Sequence, residues 1–226
     1  MKRRKEPEMH QEPARIVLIT GGSRGTGADV ARQLASPDTH VVVNYRANAD
    51  RAESIARAIR NAGGQASTLR ADISDEAESA AMIDTIAARF GRLDTLILSA
   101  SVGPAFGSDL GYAKRLNRDA QRRLAMRAVP LMPAGGRIVF VTNHAAHFFP
   151  HRAVPKGQTA DAASKWAGET ALYAMRAKFR SAGVRLTVVS GNAGDATFAG
   201  AIANAANAAN PSGIVYVGGA DSLMIA

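Results

Sequence analysis

An apolar run, Ile16-Val17-Leu18-Ile19, leads directly into Thr20-Gly21-Gly22-Ser23-Arg24-Gly25-Thr26-Gly27. This order predicts a buried strand, a sharp glycine turn and a helix that starts near Ala28. The first N–H groups of such a helix have no partner within it, and the helix dipole favours negative charge there. The turn is therefore shaped to receive a pyrophosphate. Glycines alone carry little weight. Glycines set between a buried strand and a helix, at the head of an alternating chain, restrict the fold to very few solutions.

The alternation continues along the chain. Apolar, β-branched runs fall at 16–20, 40–44, 66–70, 95–99, 136–142, 184–190 and 213–217. Helix-like segments lie between them at about 27–35, 49–62, 76–90, 113–129, 160–181 and 196–209. Strands nearly free of charge, separated by amphipathic helices, predict a parallel sheet covered on both faces. Ala62-Gly63-Gly64 and Gly183 read as helix stops, and Pro133 with Gly135-Gly136 leads into the fifth strand. The fold class expected is α/β, a doubly wound, parallel, seven-stranded sheet with helices on both faces. Residues 1–13 are expected to be a disordered tail and 14–226 a single domain; neither an internal repeat nor a linker is visible.

Composition excludes several classes. The chain contains no cysteine, which removes disulfides, thiolate catalysis and cysteine metal sites. A site built of histidines alone lacks a carboxylate at suitable spacing, so no metal is expected. The start Met1-Lys2-Arg3-Arg4-Lys5 is followed by Glu6-Pro7-Glu8 and not by an apolar signal core, so the expected location is cytoplasmic. No apolar run reaches the length of a membrane span. Net charge is +9, yet the basic residues are scattered and do not interleave with aromatics. Nucleic acid is therefore not expected as a partner, and a phosphate-rich cofactor accounts for part of the charge.

At this resolution the chain resembles the short-chain dehydrogenase/reductase family, of the single-domain Rossmann type, from about Arg15 to Met224. Thr20-Gly21, Gly25 and Gly27 are similar to that family's cofactor glycine motif. Asp72, in Ala71-Asp72-Ile73, stands where the family contacts adenine. Asn117 falls in the helix that carries the family's structural and proton-relay asparagine. Lys165, in Ala163-Ser164-Lys165, matches the lysine of the Tyr-(three residues)-Lys motif, and Gly191 resembles the glycine after the sixth strand. The resemblance implies a cofactor site formed by Gly21, Ser23, Arg24, Gly25, Thr26, Gly27, Asn44, Arg46, Asp72, Ile73, Ser99, Ala100, Lys165 and Gly191.

The second strand indicates which nicotinamide cofactor to expect. An NAD site needs an acid near its end to accept from the ribose hydroxyls. Here the strand ends Val43-Asn44-Tyr45-Arg46. A guanidinium binds a 2′-phosphate bidentately where a carboxylate would repel it. Arg46, with Arg24 in the glycine loop, favours NADP(H).

The catalytic positions depart from the family pattern. Its tyrosine should stand four residues before Lys165, where this chain has Asp161; its serine aligns with Asn143. The family's Asn-Asn-Ala-Gly is replaced by Leu98-Ser99-Ala100-Ser101, so only Asn117 and Lys165 remain of the usual tetrad. An ionised aspartate cannot donate a proton to a developing alkoxide; Asp161 is expected either to cap its helix and pair with Lys165 at i,i+4, or to act as a base. Asn143 can donate a hydrogen bond to a carbonyl but cannot relay a proton. Among replacements for the missing acid, Tyr173 lies about 12 Å from Lys165 along its helix, which is too far. Tyr112 precedes the Asn117 helix and is a weaker candidate. His144, His147 and His151 crowd the loop after the fifth strand, and His147 is the better donor if that segment is extended.

Two functions are thus expected. The first is an NADP(H)-dependent oxidoreductase acting on a small carbonyl or alcohol substrate, with Lys165, Asn117, Asn143, Asp161 and His147 as catalytic candidates. The alternative is a member that binds NADP(H) but performs non-redox chemistry (cyclisation, elimination, isomerisation) or cofactor sensing. The segment after Ser190-Gly191-Asn192 is short where the family carries a substrate lid. Helix 160–181 carries Trp166, Leu172, Tyr173 and Phe179 on several faces, and a homodimer or homotetramer is expected.

Overall fold

In the computed structural model, which describes residues 15–101, 110–209 and 213–218, side chains along β1 (Arg15–Thr20) alternate between two cores. Ile16 and Leu18 enter one cluster, with Leu96, Ile138 and Phe179; Val17 and Ile19 enter the other, with Val30, Ile59 and Ile202. Period-two alternation with both faces apolar demands a helical layer on each side of the sheet. The remaining strands are β2 (Thr39–Tyr45), β3 (Gln65–Arg70), β4 (Thr95–Leu98), β5 (Arg137–Thr142), β6 (Arg185–Ser190) and β7 (Ile214–Tyr216). All seven pair in parallel in the order β3-β2-β1-β4-β5-β6-β7. The strand order reverses between β1 and β4, and a crevice opens there beyond the strands' carboxyl ends.

The helices are α1 (Gly25–Gln33), α2 (Ala49–Asn61), α3 (Glu76–Phe90), α4 (Leu110–Lys114), α5 (Gln121–Ala128), α6 (His144–His147), α7 (Thr159–Ala174), α8 (Arg176–Ser181) and α9 (Phe198–Asn207). Side-chain caps set the starts of three of them. Asn48 accepts from Arg51 N at 2.8 Å to cap α2, and Asp75 accepts from Glu78 N at 2.9 Å to cap α3. By contrast, α1 has no side-chain cap and no acid in its first turn, so its leading N–H groups are available to a ligand.

Three expectations need correction. The segment 113–129 is not one α-helix: a π-helical stretch, Arg115–Ala120, separates α4 from α5. Helix 160–181 breaks at Met175, between α7 and α8. The segment after β5 is not extended. Asn143 accepts from Ala146 N at 2.8 Å and starts the helical turn α6. Between β6 and α9 only residues 191–197 intervene. Among the described residues no helix is long and apolar enough to cross a membrane.

Candidate active site

A cleft of about 530 Å³ opens where the strand order reverses. Its lining includes every residue expected at the cofactor site, from Gly21 and Ser23 in the glycine loop to Lys165 and Gly191. The loop works by close approach. A Cβ on Gly21, whose φ is +66°, would lie 2.9 Å from Ala100 Cα. One on Gly27 would lie 2.6 Å from the Gly21 carbonyl oxygen. Gly25, at φ +52°, faces open space at the mouth of α1. A tight turn, an uncapped helix and an open approach together fit a pyrophosphate.

Asn44 braces this loop. Only 2% exposed, it donates through Nδ2 to Ala71 O (3.0 Å) and Leu69 O (3.3 Å) and accepts from Gly21 N at 3.4 Å. It lines the cleft, but its amide is committed to the protein backbone. Asp72 accepts from Ser74 N and Oγ through Oδ1, and its Oδ2 lies 3.9 Å from Arg46. Arg46 also donates to the Tyr112 hydroxyl, so both side chains face the same end of the cleft. Arg24 precedes α1 in extended backbone and lines the cleft as well. Arg51 joins them from the first turn of α2; the sequence reading missed it. Its signal was the spacing from Asn48, which places it three residues into a capped helix that begins beside the β2 end.

At the other end stand Lys165, Asn143, Thr142 and Ser101. Lys165 Nζ donates to Asp161 Oδ2 at 2.9 Å, an i,i+4 pair on α7. Asp161 is not the cap of that helix. Gln158 holds the cap position and Asp161 falls in the first helical turn, where the dipole favours its charge. Its second oxygen, Oδ1, is buried with no hydrogen-bond partner among the described residues. Asn117 does not line the cleft. It sits in the π-helical stretch, 2% exposed, and donates to Ser164 Oγ at 2.9 Å, behind Lys165. Gly168 makes that contact possible, because a Cβ there would land on the Asn117 carbonyl.

His147 is not brought to this site. The turn α6 carries it away, with Nδ1 2.7 Å from Glu169 and Nε2 3.0 Å from the Tyr216 hydroxyl, outside the cleft lining. His144 is buried between Ser190 Oγ and Val217 O, each at 2.9 Å, and His151 is exposed. The buried Tyr173 hydroxyl, also outside the cleft, is pushed up to about 12 by burial and then by Glu169 and Tyr216. Gly191 has another reason to be glycine: a Cβ would meet the Phe198 ring at 2.6 Å. Phe198, also missed, thus closes the cleft beside β6.

A doubly wound sheet with a glycine loop and an uncapped helix at its switch point defines a dinucleotide-binding oxidoreductase fold. The family model for short chain dehydrogenases matches residues 15–205, and the chain belongs to that family. It is 35% identical over 185 residues to 1-cyclohexenylcarbonyl-CoA reductase of Streptomyces collinus, covering 78% of this chain and 63% of that one. Elsinochrome reductase 1 of Elsinoe fawcettii is 32% identical over 134 residues, covering 56% and 50%. The chain thus spans less than two thirds of the length of these curated relatives. Among solved structures, the promiscuous reductase LugOII, which catalyses keto-reduction at C1 during lugdunomycin biosynthesis, matches with a TM-score of 0.79 and 26% identity over 95% of this chain and 100% of its own. A metagenomic short-chain oxidoreductase in complex with NADP matches at 0.78 and 26% over 90% and 96%.

Proposed function

We propose that the protein is an NADP(H)-dependent oxidoreductase that interconverts a small carbonyl compound and its alcohol. The observation that carries this reading is a single cleft with Arg24, Arg46 and Arg51 at one end and Lys165 and Asn143 at the other, joined by the glycine loop. The α1 N–H groups and Gly25 would hold the pyrophosphate, the arginines the 2′-phosphate, Asp72 and Ile73 the adenine, and Lys165 the nicotinamide ribose. Ser99 and Ala100, at the end of β4, flank the middle of the cleft. When bound, the reduced cofactor supplies a hydride. The reductase names of the relatives and the NADP-bound neighbour support this choice.

Asn143 commits its Oδ1 to Ala146 N, which fixes the amide and leaves its N–H groups to orient a carbonyl oxygen. The test is titration with NADPH and NADH, followed by a panel of aldehydes and ketones monitored at the nicotinamide absorbance band. NADPH binding at least tenfold tighter than NADH, with consumption on one panel member, is the expected result. The second reading, cofactor binding without redox turnover, is favoured by Asp161 standing where the family has tyrosine. NADPH binding with no consumption by any panel member would select it.

A further inference from the structure

We infer that Lys165 itself is the proton donor of the reaction, with Asp161 as its positioning carboxylate. The inference rests on the carbonyl-reducing reading above. Among the described residues, the titratable groups lining the cleft are Arg24, Arg46, Arg51, Asp72, Tyr112 and Lys165. Guanidinium groups do not release protons in the working range. Asp72 accepts from Ser74, and Tyr112 has its hydroxyl against Arg46, both at the β2 end. Ser99, Ser101 and Thr142 line the cleft too. A hydroxyl passes on a proton only with a base beside it, and among the described residues none of the three is bonded to a histidine or carboxylate. Among the described residues of the lining, that leaves Lys165, which α7 presents to the same cleft as Asn143.

The Asp161 contact fixes where Lys165 stands. Asp161 Oδ2 takes one N–H of the ammonium at 2.9 Å, and the side chains of Lys165 and Asp161 are only 15% and 25% exposed. Asp161 Oδ1 is buried with no hydrogen-bond partner among the described residues, so the pairing of this carboxylate there is with Lys165. The pair therefore holds the cation at one point of the cleft wall, with two N–H bonds that meet no acceptor among the described residues. In reduction, a bound reduced cofactor would supply the hydride and its electron pair to the carbonyl carbon and be oxidised in turn. The C=O π pair moves to oxygen, and a Lys165 N–H bond breaks to give O–H. The product is the alcohol, and the neutral amine regains its proton from water.

The experiment compares Lys165→Arg, Lys165→Ala, Asp161→Asn and Asp161→Glu with the unaltered chain. NADPH binding is followed by cofactor fluorescence, and reduction of the panel carbonyl by absorbance. Lys165→Arg keeps the cation, so NADPH binding stays within about threefold, while reduction falls at least ~100-fold, the usual loss of a general acid. Methylammonium restores Lys165→Ala in proportion to its concentration, and guanidinium does not. Asp161→Asn lowers kcat about tenfold with both KM values unchanged, and Asp161→Glu retains most of the rate. Lys165→Arg turning over within threefold of the unaltered chain would overturn the assignment, as would equal rescue by guanidinium. So would Tyr112→Phe abolishing turnover while Lys165→Arg preserves it. An unaltered chain that binds NADPH but consumes none overturns the redox reading and this assignment together, and is recognised by its intact binding.

Discussion

Replacing Gly168 with alanine tests how the site is braced. In isolation the change should help, because alanine in a helix interior is about 1 kcal/mol better than glycine. In α7 the added Cβ would land on the Asn117 carbonyl oxygen, with the carbonyl carbon 3.0 Å away. Both obstacles are backbone, so no side-chain rotation relieves them. Either α7 or the π-helical stretch must move. Overpacking of this kind costs about 1–3 kcal/mol and more where backbone shifts. Against the propensity gain we expect a net loss of about 2 kcal/mol, or about 4–8 °C in Tm for a chain of this size. The shift also pulls Asn117 from Ser164 Oγ, 2.9 Å away and one residue before Lys165. NADPH binding should therefore weaken along with stability. Urea and thermal unfolding, paired with an NADPH titration, measure both. A Gly168→Ala chain as stable as the original would show that the helix contact yields freely and that the argument is wrong.

Further outcomes follow from the same geometry. Asn44→Ala leaves the Leu69 and Ala71 carbonyls and Gly21 N without their partner, and should cost about 3 kcal/mol in urea unfolding; a loss below about 0.5 kcal/mol would show that water replaces the amide. Arg46→Ala and Arg51→Ala should each weaken NADPH about tenfold, or about 1.4 kcal/mol, and leave NADH nearly unchanged, since each side chain is solvent-facing and its charge partly screened; equal weakening of both cofactors would remove the 2′-phosphate assignment. His40 is lowered to about 4, first by burial and then by the Arg89 charge. The unfolded chain, with histidine near 6.5, then binds more protons between pH 6.5 and 4, so stability is full above that window and falls as pH drops through it. Unfolding of His40→Leu measured from pH 7 to 4.5 should show a flatter slope than the original chain.

Much of the frame was legible along the chain. Runs such as Ile16–Ile19 and Val139 with its neighbours alternate between the two cores because strand periodicity is a near-neighbour property. The glycine loop was legible because positive φ and close backbone approach leave no other residue type suitable. Arg46 and the missing acid at the β2 end were readable for the same local reason. The π-helical stretch was not, and it is where Asn117 meets Gly168 of α7, 51 positions away in sequence. His147 was placed wrongly because its partners, Glu169 and Tyr216, stand 22 and 69 residues distant. Asp161 was recognised as a partner for Lys165 from their i,i+4 spacing, but the burial that isolates its second oxygen comes from packing around α7. The sheet, the glycine loop and the family are thus written in short-range stereochemistry. Which side chains share the cleft, and which have their polar atoms already committed, was decided by the tertiary structure, because hydrogen-bond partners are chosen among elements that only folding brings together.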